Sequence, residues 1–303
     1  MPICAIEGDH EQEMLVRTYH QTRYRYPSPA TDSFNELRLC PDSDATQTVV
    51  SFRLVTDPLL PIFSFRTQGG IVHHFNLRRP HTSLTITAES IVETHRTDPF
   101  AGLNLLDDDW DFYRREETRQ QYAEFLVPTY LAPMHPEACR IANTAAQRSG
   151  AGTASFLITL TRLLNGILTY SPGATHVHTT LDEFLQDKQG VCQDFAHLML
   201  AVCRCKGIPA RYVSGYVCSP EEPNAMRAEG ATHAWVECLM PSGEWRGFDP
   251  TNELLANEHY VRLHVGRDYA DAAPIKGVYR GPADHEMEVE IRVSTSLTNT
   301  AAG

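Results

Sequence analysis

No stretch of this 303-residue chain approaches the ~20 consecutive apolar residues that a membrane-spanning helix requires. Basic residues are scarce too: 26 Lys and Arg stand against 38 Asp and Glu, a formal net charge of −12. Electrostatic capture of nucleic acid or anionic lipid needs clustered cations, so neither nucleic acid nor a membrane is expected as a partner. The start of the chain, Met1-Pro2-Ile3-Cys4-Ala5-Ile6-Glu7-Gly8-Asp9-His10, is acidic and lacks the basic-then-apolar order of a secretion signal. A cytoplasmic location is therefore the default expectation. Internal repeats and low-complexity segments are missing as well.

Cysteine occurs eight times (Cys4, Cys40, Cys139, Cys192, Cys203, Cys205, Cys218, Cys238) but without the spacing of a disulfide framework. That usage fits a reducing compartment, with most of the eight as buried free thiols. Cys203 and Cys205 lie two apart on an expected helix, point in different directions and make a poor metal pair. His73, His74 and His81 are no better: adjacent strand residues face opposite sides of a sheet, and no Cys, Asp or Glu completes a set. Asp107-Asp108-Asp109-Trp110-Asp111 reads as a solvated acidic surface, because the EF-hand loop pattern is absent. No cofactor and no metal are expected.

What is there suffices for a sizeable core: hydrophobic residues make up 42% of the chain. Residues 14 to 95 read as short strands: Met14 to Tyr26, Phe34 to Leu39, Val49 to Val55, Ile62 to Phe65, Ile71 to Leu77 and Ser83 to Val92. Pro27-Ser28-Pro29 is expected to break any ladder, and Gly69-Gly70 to make a hairpin turn, within an antiparallel sandwich or barrel. Pro128, Pro133 and Pro136 mark a connector. Leu160, Leu163, Leu164 and Ile167 then recur at the i, i+3, i+4, i+7 positions of an amphipathic helix. Thr180-Leu181-Asp182-Glu183 is a capping box opening a second helix, expected to run to Gln189 and stop at Gly190. Cys192 begins a third, with Phe195, Leu198, Met199 and Val202 as its apolar stripe and Lys206-Gly207, then Pro209, at its end. Strands follow at Arg211 to Val217, Ala231 to Met240, Glu244 to Phe248, Tyr260 to Val265 and Glu286 to Val293, with a frayed tail from Ser294. Pro241-Ser242-Gly243 should turn a hairpin.

A cysteine at a helix start sits near roughly half a positive charge, which favours its thiolate. Downstream, Thr232-His233-Ala234-Trp235-Val236-Glu237 places a histidine on one hairpin strand, and Phe248-Asp249-Pro250 places an aspartate just past the other. His233 could take the thiol proton and pass it to a leaving amine, while Asp249 fixes the imidazole's tautomer and direction. Taken singly, each signal has a plainer reading: an inert buried cysteine, a satisfied histidine, an ordinary turn. All three in this order are much harder to obtain by chance.

Gly190-Val191-Cys192-Gln193-Asp194-Phe195-Ala196-His197, Gly207-Ile208-Pro209-Ala210-Arg211-Tyr212-Val213-Ser214-Gly215-Tyr216, the His233 and Asp249 motifs and Val265-Gly266-Arg267-Asp268-Tyr269 together resemble the bacterial transglutaminase-like superfamily, often described as cysteine proteases. The resemblance covers nearly the whole chain, with a core at about Ala145 to Leu255. It implies an α+β fold: a papain-like, transglutaminase-like cysteine catalytic core with an N-terminal antiparallel β domain. The expected division is 1–115 for the β-rich domain, 116–145 for a connector and 146–295 for the core with its C-terminal strands.

The resemblance also implies Cys192 as nucleophile, His233 as base and Asp249 as orienting acid, acting by acyl transfer through a thioester. Oxyanion stabilisation is expected from the Cys192 backbone amide plus one further donor, with Tyr170 and the Gln193 side chain as candidates. Asp194 reads as a cap or a partner for a neighbouring loop, and His197 as structural. Trp235 walls the cleft or, the favoured reading, packs in the core, and Arg211 and Tyr212 support the strand behind the helix. The loop Ser219 to Gly230 is expected to border the cleft as a lid. A peptidase or amidase acting on a peptide or other amide is the first reading. An amine-accepting transglutaminase is the second and a non-catalytic binding or assembly module the third; an arylamine N-acetyltransferase fits the local motifs less well.

Overall fold

The structure is a computed structural model, which describes residues 14–103, 109–218 and 231–297. Alternation of apolar and polar residues makes the first elements strands: β1 (Met14–Leu37), β2 (Gln47–Asp57), β3 (Phe63–Thr67), β4 (Gly70–Leu77) and β5 (His81–Thr94). Pro27, Ser28 and Pro29 do not end the first strand. They lie where its register against β5 jumps, between Arg25 and Ala30, so the prolines fall where no ladder bond is demanded. β1 is therefore one long bent strand, where two had been expected. Its first part pairs with β5, and its second, from Ser33 to Leu37, with β4.

Helices come next: α1 (Glu116–Gln121), α2 (Ala123–Leu126), α3 (Pro136–Arg148) and α4 (Thr153–Ile167). The stretch read as a connector thus ends in a proper helix. Ala138, Ile141, Ala142 and Ala145 of α3 are buried in the helical core. After β6 (Thr169–Tyr170) comes α5 (Leu181–Asp187), whose capping box forms as expected: Thr180 Oγ1 accepts the Glu183 N–H, and Glu183 Oε2 accepts the Thr180 N–H at 2.7 Å. This helix ends earlier than expected, on Lys188 in the left-handed conformation. Gly190, in β7 (Gln189–Gly190), has another reason to be glycine: a Cβ there would lie 2.5 Å from Asp194 Oδ2 and 2.7 Å from the Phe184 ring.

α6 (Cys192–Cys205) is almost wholly buried and closes with Gly207 at positive φ, where the Ile208 N–H reaches the Cys203 carbonyl. Its C-terminal end is joined to α3 by a Cys139–Cys205 disulfide, which the cysteine spacing did not announce. Cys40, Cys192, Cys203, Cys218 and Cys238 are buried and in no disulfide.

The rest is mostly strand: β8 (Ala210–Val217), β9 (His233–Leu239), β10 (Trp245–Asp249), β11 (Leu254–Leu255) and β12 (Tyr260–Gly266), then α7 (Tyr269–Ala272), β13 (Ile275–Arg280) and β14 (Glu286–Leu297). Five of these strands form one sheet in the order β11-β10-β9-β8-β12. β13 and β14 leave it and pair with β1. The expected 146–295 unit therefore separates these two strands from the sheet they complete. β14 also continues to Leu297, beyond the point where fraying was expected.

The helices cover one region of the five-stranded sheet; Ala234, Val236 and Cys238 of β9 face Ala196, Leu200 and Cys203 of α6 in one core. The N-terminal strands pack on the β8–β12 side, sharing a second core through Tyr216, Cys218, Val261 and Leu263. Polar contacts fasten the same junction: His20 Nδ1 lies 2.8 Å from the Tyr216 hydroxyl, and the Gln47 amide donates to the Arg262 carbonyl at 2.9 Å. His73, His74 and His81 are dispersed, beside Phe52, on Phe63 and against Ser33. Asp109 and Asp111 meet Arg115 and Arg114 at the surface. The expected lid, 219–230, lies outside the described residues.

Candidate active site

Cys192 is the first residue of α6 and is 9% exposed. The approach to it is shaped by the turn before the helix. Tyr170 of β6 pairs in parallel with Gly190, and the Ser171 N–H donates to the Gly190 carbonyl at 2.8 Å. Asp194, in the first helical turn, accepts the Val191 N–H at 2.8 Å and the Thr175 hydroxyl at 2.6 Å. It thus caps its own helix and ties down the loop after β6, both roles the motif suggested. Burial pushes the Asp194 carboxyl above its ordinary range, against the pull of those two hydrogen bonds.

The β9–β10 hairpin, turned at Gly243, pairs Trp245 with Leu239 and Phe248 with Val236. His233 and Asp249 then come together: His233 Nε2 lies 2.7 Å from Asp249 Oδ2, with both side chains fully buried. Burial opposes charge on the imidazole, but the Asp249 carboxylate, and Cys192 beside it, outweigh burial and push the His233 pKa up to about 10. Nε2 is committed to Asp249, and Nδ1 has no hydrogen-bond partner among the described residues. That leaves Nδ1 as the nitrogen for the neighbouring thiol.

Asp249 is held by more than the histidine. Its Oδ2 also accepts from the Tyr260 hydroxyl and from Asn252 Nδ2, each at 2.8 Å, and its Oδ1 from the Thr251 and Asn252 amides at 2.9 and 3.2 Å. Burial would raise this carboxyl, yet His233, Asn252 and Tyr260 hold it below the usual carboxylate range. The turn itself is fixed by Asn165 of α4, whose Nδ2 donates to the Pro250 and Thr251 carbonyls. Tyr260 and Asn252 were missed as site residues. Asn252, three after Asp249, carried a short-range hint; Tyr260 comes from another strand and had none.

The remaining expected residues are placed as follows. Trp235 lies beneath the imidazole, ring centroids 6.0 Å apart and nearly parallel, and packs edge-on to Tyr260. Gly215, opposite His233 in the sheet, makes room for it, since a Cβ there would lie 2.5 Å from the indole. His197 is buried and accepts the Tyr269 N–H at 3.2 Å; burial, then Arg204, lower its pKa to about 3, so it is a neutral acceptor. Gln193 turns its amide to the Val177 carbonyl at 3.3 Å. Arg211 is paired with Glu237 and stacked over Trp245, and Tyr212 packs by His197.

Residues 143–250 match the profile of the transglutaminase-like superfamily, and residues 16–93 that of the bacterial transglutaminase-like N-terminal region. The chain belongs to the transglutaminase-like superfamily. An uncharacterized protein of Mycobacterium leprae is 38% identical over 280 residues, covering 91% of this chain and 98% of its own. A Mycobacterium tuberculosis protein, also uncharacterized, is 32% identical over 300 residues, covering 95% and 94%. A protein-glutamine gamma-glutamyltransferase of Pseudomonas aeruginosa is 33% identical over 130 residues, 40% of this chain and 19% of that one. Among solved structures, a cysteine protease candidate from Cytophaga hutchinsonii superposes with a TM-score of 0.71 at 20% identity, over 96% of this chain and 93% of that one. The expected fold class, a papain-like α+β core with an N-terminal antiparallel β domain, is the one observed.

Proposed function

We propose that this chain is a cysteine-dependent enzyme that transfers acyl groups from amides, with Cys192 as nucleophile, His233 as acid and base, and Asp249 as the orienting carboxylate. One observation carries the reading: a fully buried His233–Asp249 pair leaves its one uncommitted nitrogen for a cysteine that begins a helix. The Cys192 thiolate attacks the amide carbonyl carbon, and the imidazolium gives its proton to the departing nitrogen as the C–N bond breaks. A thioester remains. Water, losing a proton to His233, adds to it and expels the thiolate, returning carboxylic acid and free enzyme. The Cys192 backbone amide serves the oxyanion, with Tyr170 or the Gln193 side chain as second donor.

An amine taking water's place would make the product a new amide. The partial likeness to a protein-glutamine gamma-glutamyltransferase supports this second reading. No helix among the described residues is long and apolar enough to cross a membrane. We infer a cytoplasmic location from the cysteine usage as a whole. The Cys139–Cys205 bond pulls the other way, so thiol counting on protein taken from cells is the check.

The activity test is iodoacetamide labelling across pH, read by mass spectrometry, with His233→Ala alongside. Fast labelling of Cys192 alone near neutral pH, lost in the variant, is the expected result, and amide substrates with and without an amine acceptor then separate the two readings. Labelling of Cys192 no faster than the other free cysteines would overturn the enzyme reading in favour of a binding or assembly module.

A further inference from the structure

The second part of β1, with β4, β3 and β13, buries one face and shows the other to solvent. The inward face carries Leu37, Phe75 and Leu77, all buried. Alternation should make the outward face polar. It is mixed instead: among Glu36, His74, Asn76 and Lys276, register sets Phe34 opposite Val278, and Phe63 opposite His74, with Phe65 two residues along the same face. Phe34, Phe63, Phe65 and Val278 are 46%, 60%, 47% and 69% exposed. A concentration of exposed apolar side chains of this kind marks an interaction site rather than a packing accident.

Phe34, Phe65, His74 and Val278 line a groove of about 880 Å3. Val177 and Tyr269, from outside this sheet, line it too. These two residues are tied to the candidate active site. The Val177 carbonyl accepts the Gln193 amide, the Tyr269 N–H donates to His197, and Thr175, two residues before Val177, donates to Asp194. The groove therefore lies between the β domain and segments hydrogen-bonded to the first half of α6, at Gln193, Asp194 and His197. In the order β13-β1-β4-β3, the outer edges of β3 and β13 have no strand beside them among the described residues, leaving backbone groups for an extended chain.

We propose that this groove holds an extended, apolar segment of a polypeptide acyl donor, so that the substrate is a protein or long peptide and not a small amide. This rests on the acyl-transfer reading for its orientation toward Cys192. Apolar side chains flanking the reactive amide sit on Phe34, Phe65 and Val278, and the N-terminal β domain selects the substrate that the other half processes.

The test uses the full chain carrying Cys192→Ala and two fluorescent ten-residue glutamine peptides, one flanked by leucine and phenylalanine, the other by serine at the same positions. Burial of even one large apolar side chain predicts at least about tenfold tighter binding of the apolar peptide. Phe34→Ser with Val278→Ser removes that preference, whereas Met287→Ser, an exposed apolar position outside the groove, keeps it. Equal binding of the two peptides, or an undiminished preference in the double variant, overturns the proposal. So does a dimer in sedimentation that the double variant dissociates without a change in peptide binding, since the groove would then be a self-interface. Peptide preference without a reactive Cys192 in the unmodified chain would instead sink the enzyme reading and leave the groove standing.

Discussion

Two buried carboxylates belong to this site, one at the α5–α6 junction and one past the β9–β10 hairpin, and their surroundings treat them in opposite ways. Asp194 has two hydrogen bonds, from Val191 and Thr175, and burial raises its carboxyl. Asp249 has an imidazole partner, two side-chain donors besides and two backbone amides, and is lowered despite deeper burial. Burial alone does not decide the charge of a carboxylate; the count of donors and the presence of a cation do. The difference suits the two positions. A readily kept charge at Asp249 favours the imidazolium, whereas Asp194 lies two residues from Cys192, where a firm negative charge would oppose a thiolate.

The largest expected effect comes from neutralising the stronger of the two. Asp249→Asn should slow alkylation of Cys192 at neutral pH by about a hundredfold or more, because the imidazolium loses its counter-charge and tautomer control. A rate within about threefold of the parent would mean that Asp249 is merely structural. Next is Gly190→Ala, which pushes a methyl group toward Asp194 Oδ2 and the Phe184 ring. Urea unfolding should show a loss of about 1–3 kcal/mol, as for other overpacked sites, and an unchanged midpoint would show that the turn yields freely.

The smallest effect separates the carboxylates by pH. The folded chain binds a proton on Asp194 more tightly than the unfolded chain does, so its contribution is complete below the ordinary carboxylate range and is lost as pH rises through the raised value. Asp249 has the reverse sign, contributing above its unfolded pKa and losing that contribution as pH falls through the lowered one. His233 stabilises below about 6.5, its unfolded value, and that contribution disappears as pH rises through about 10. Asp194→Asn should therefore cost about 1 kcal/mol in capping and remove the part of the acid-range pH slope that favours low pH. Parallel stability–pH curves for parent and variant would count against the assigned difference.

Local devices were legible in the chain because their partners are near in sequence. The Thr180–Glu183 capping box, the glycine after α6 and the turn at Gly243 obey rules spanning a few residues. Cys192, His233 and Asp249 were readable because a helix start and a hairpin are themselves local signals, and the family motifs reinforced them. The end of α5 was misread because Lys188, a residue type with no special liking for positive φ, takes the role usually given to glycine. The straight reading of Pro27-Ser28-Pro29 as a stop failed because a bulge can absorb prolines without ending a strand.

By itself, then, the sequence determined the element types, the α+β class and the residues from which a Cys-His-Asp arrangement can be assembled. Periodicity, caps and turns depend on backbone geometry within a few residues. Only the tertiary structure decided that β13 and β14 close onto β1, that α3 is tied to α6 through Cys139 and Cys205, and that Tyr260 completes the shell around Asp249. Those outcomes depend on which distant surfaces bury one another, and strand pairing across more than two hundred residues leaves no local mark on either partner.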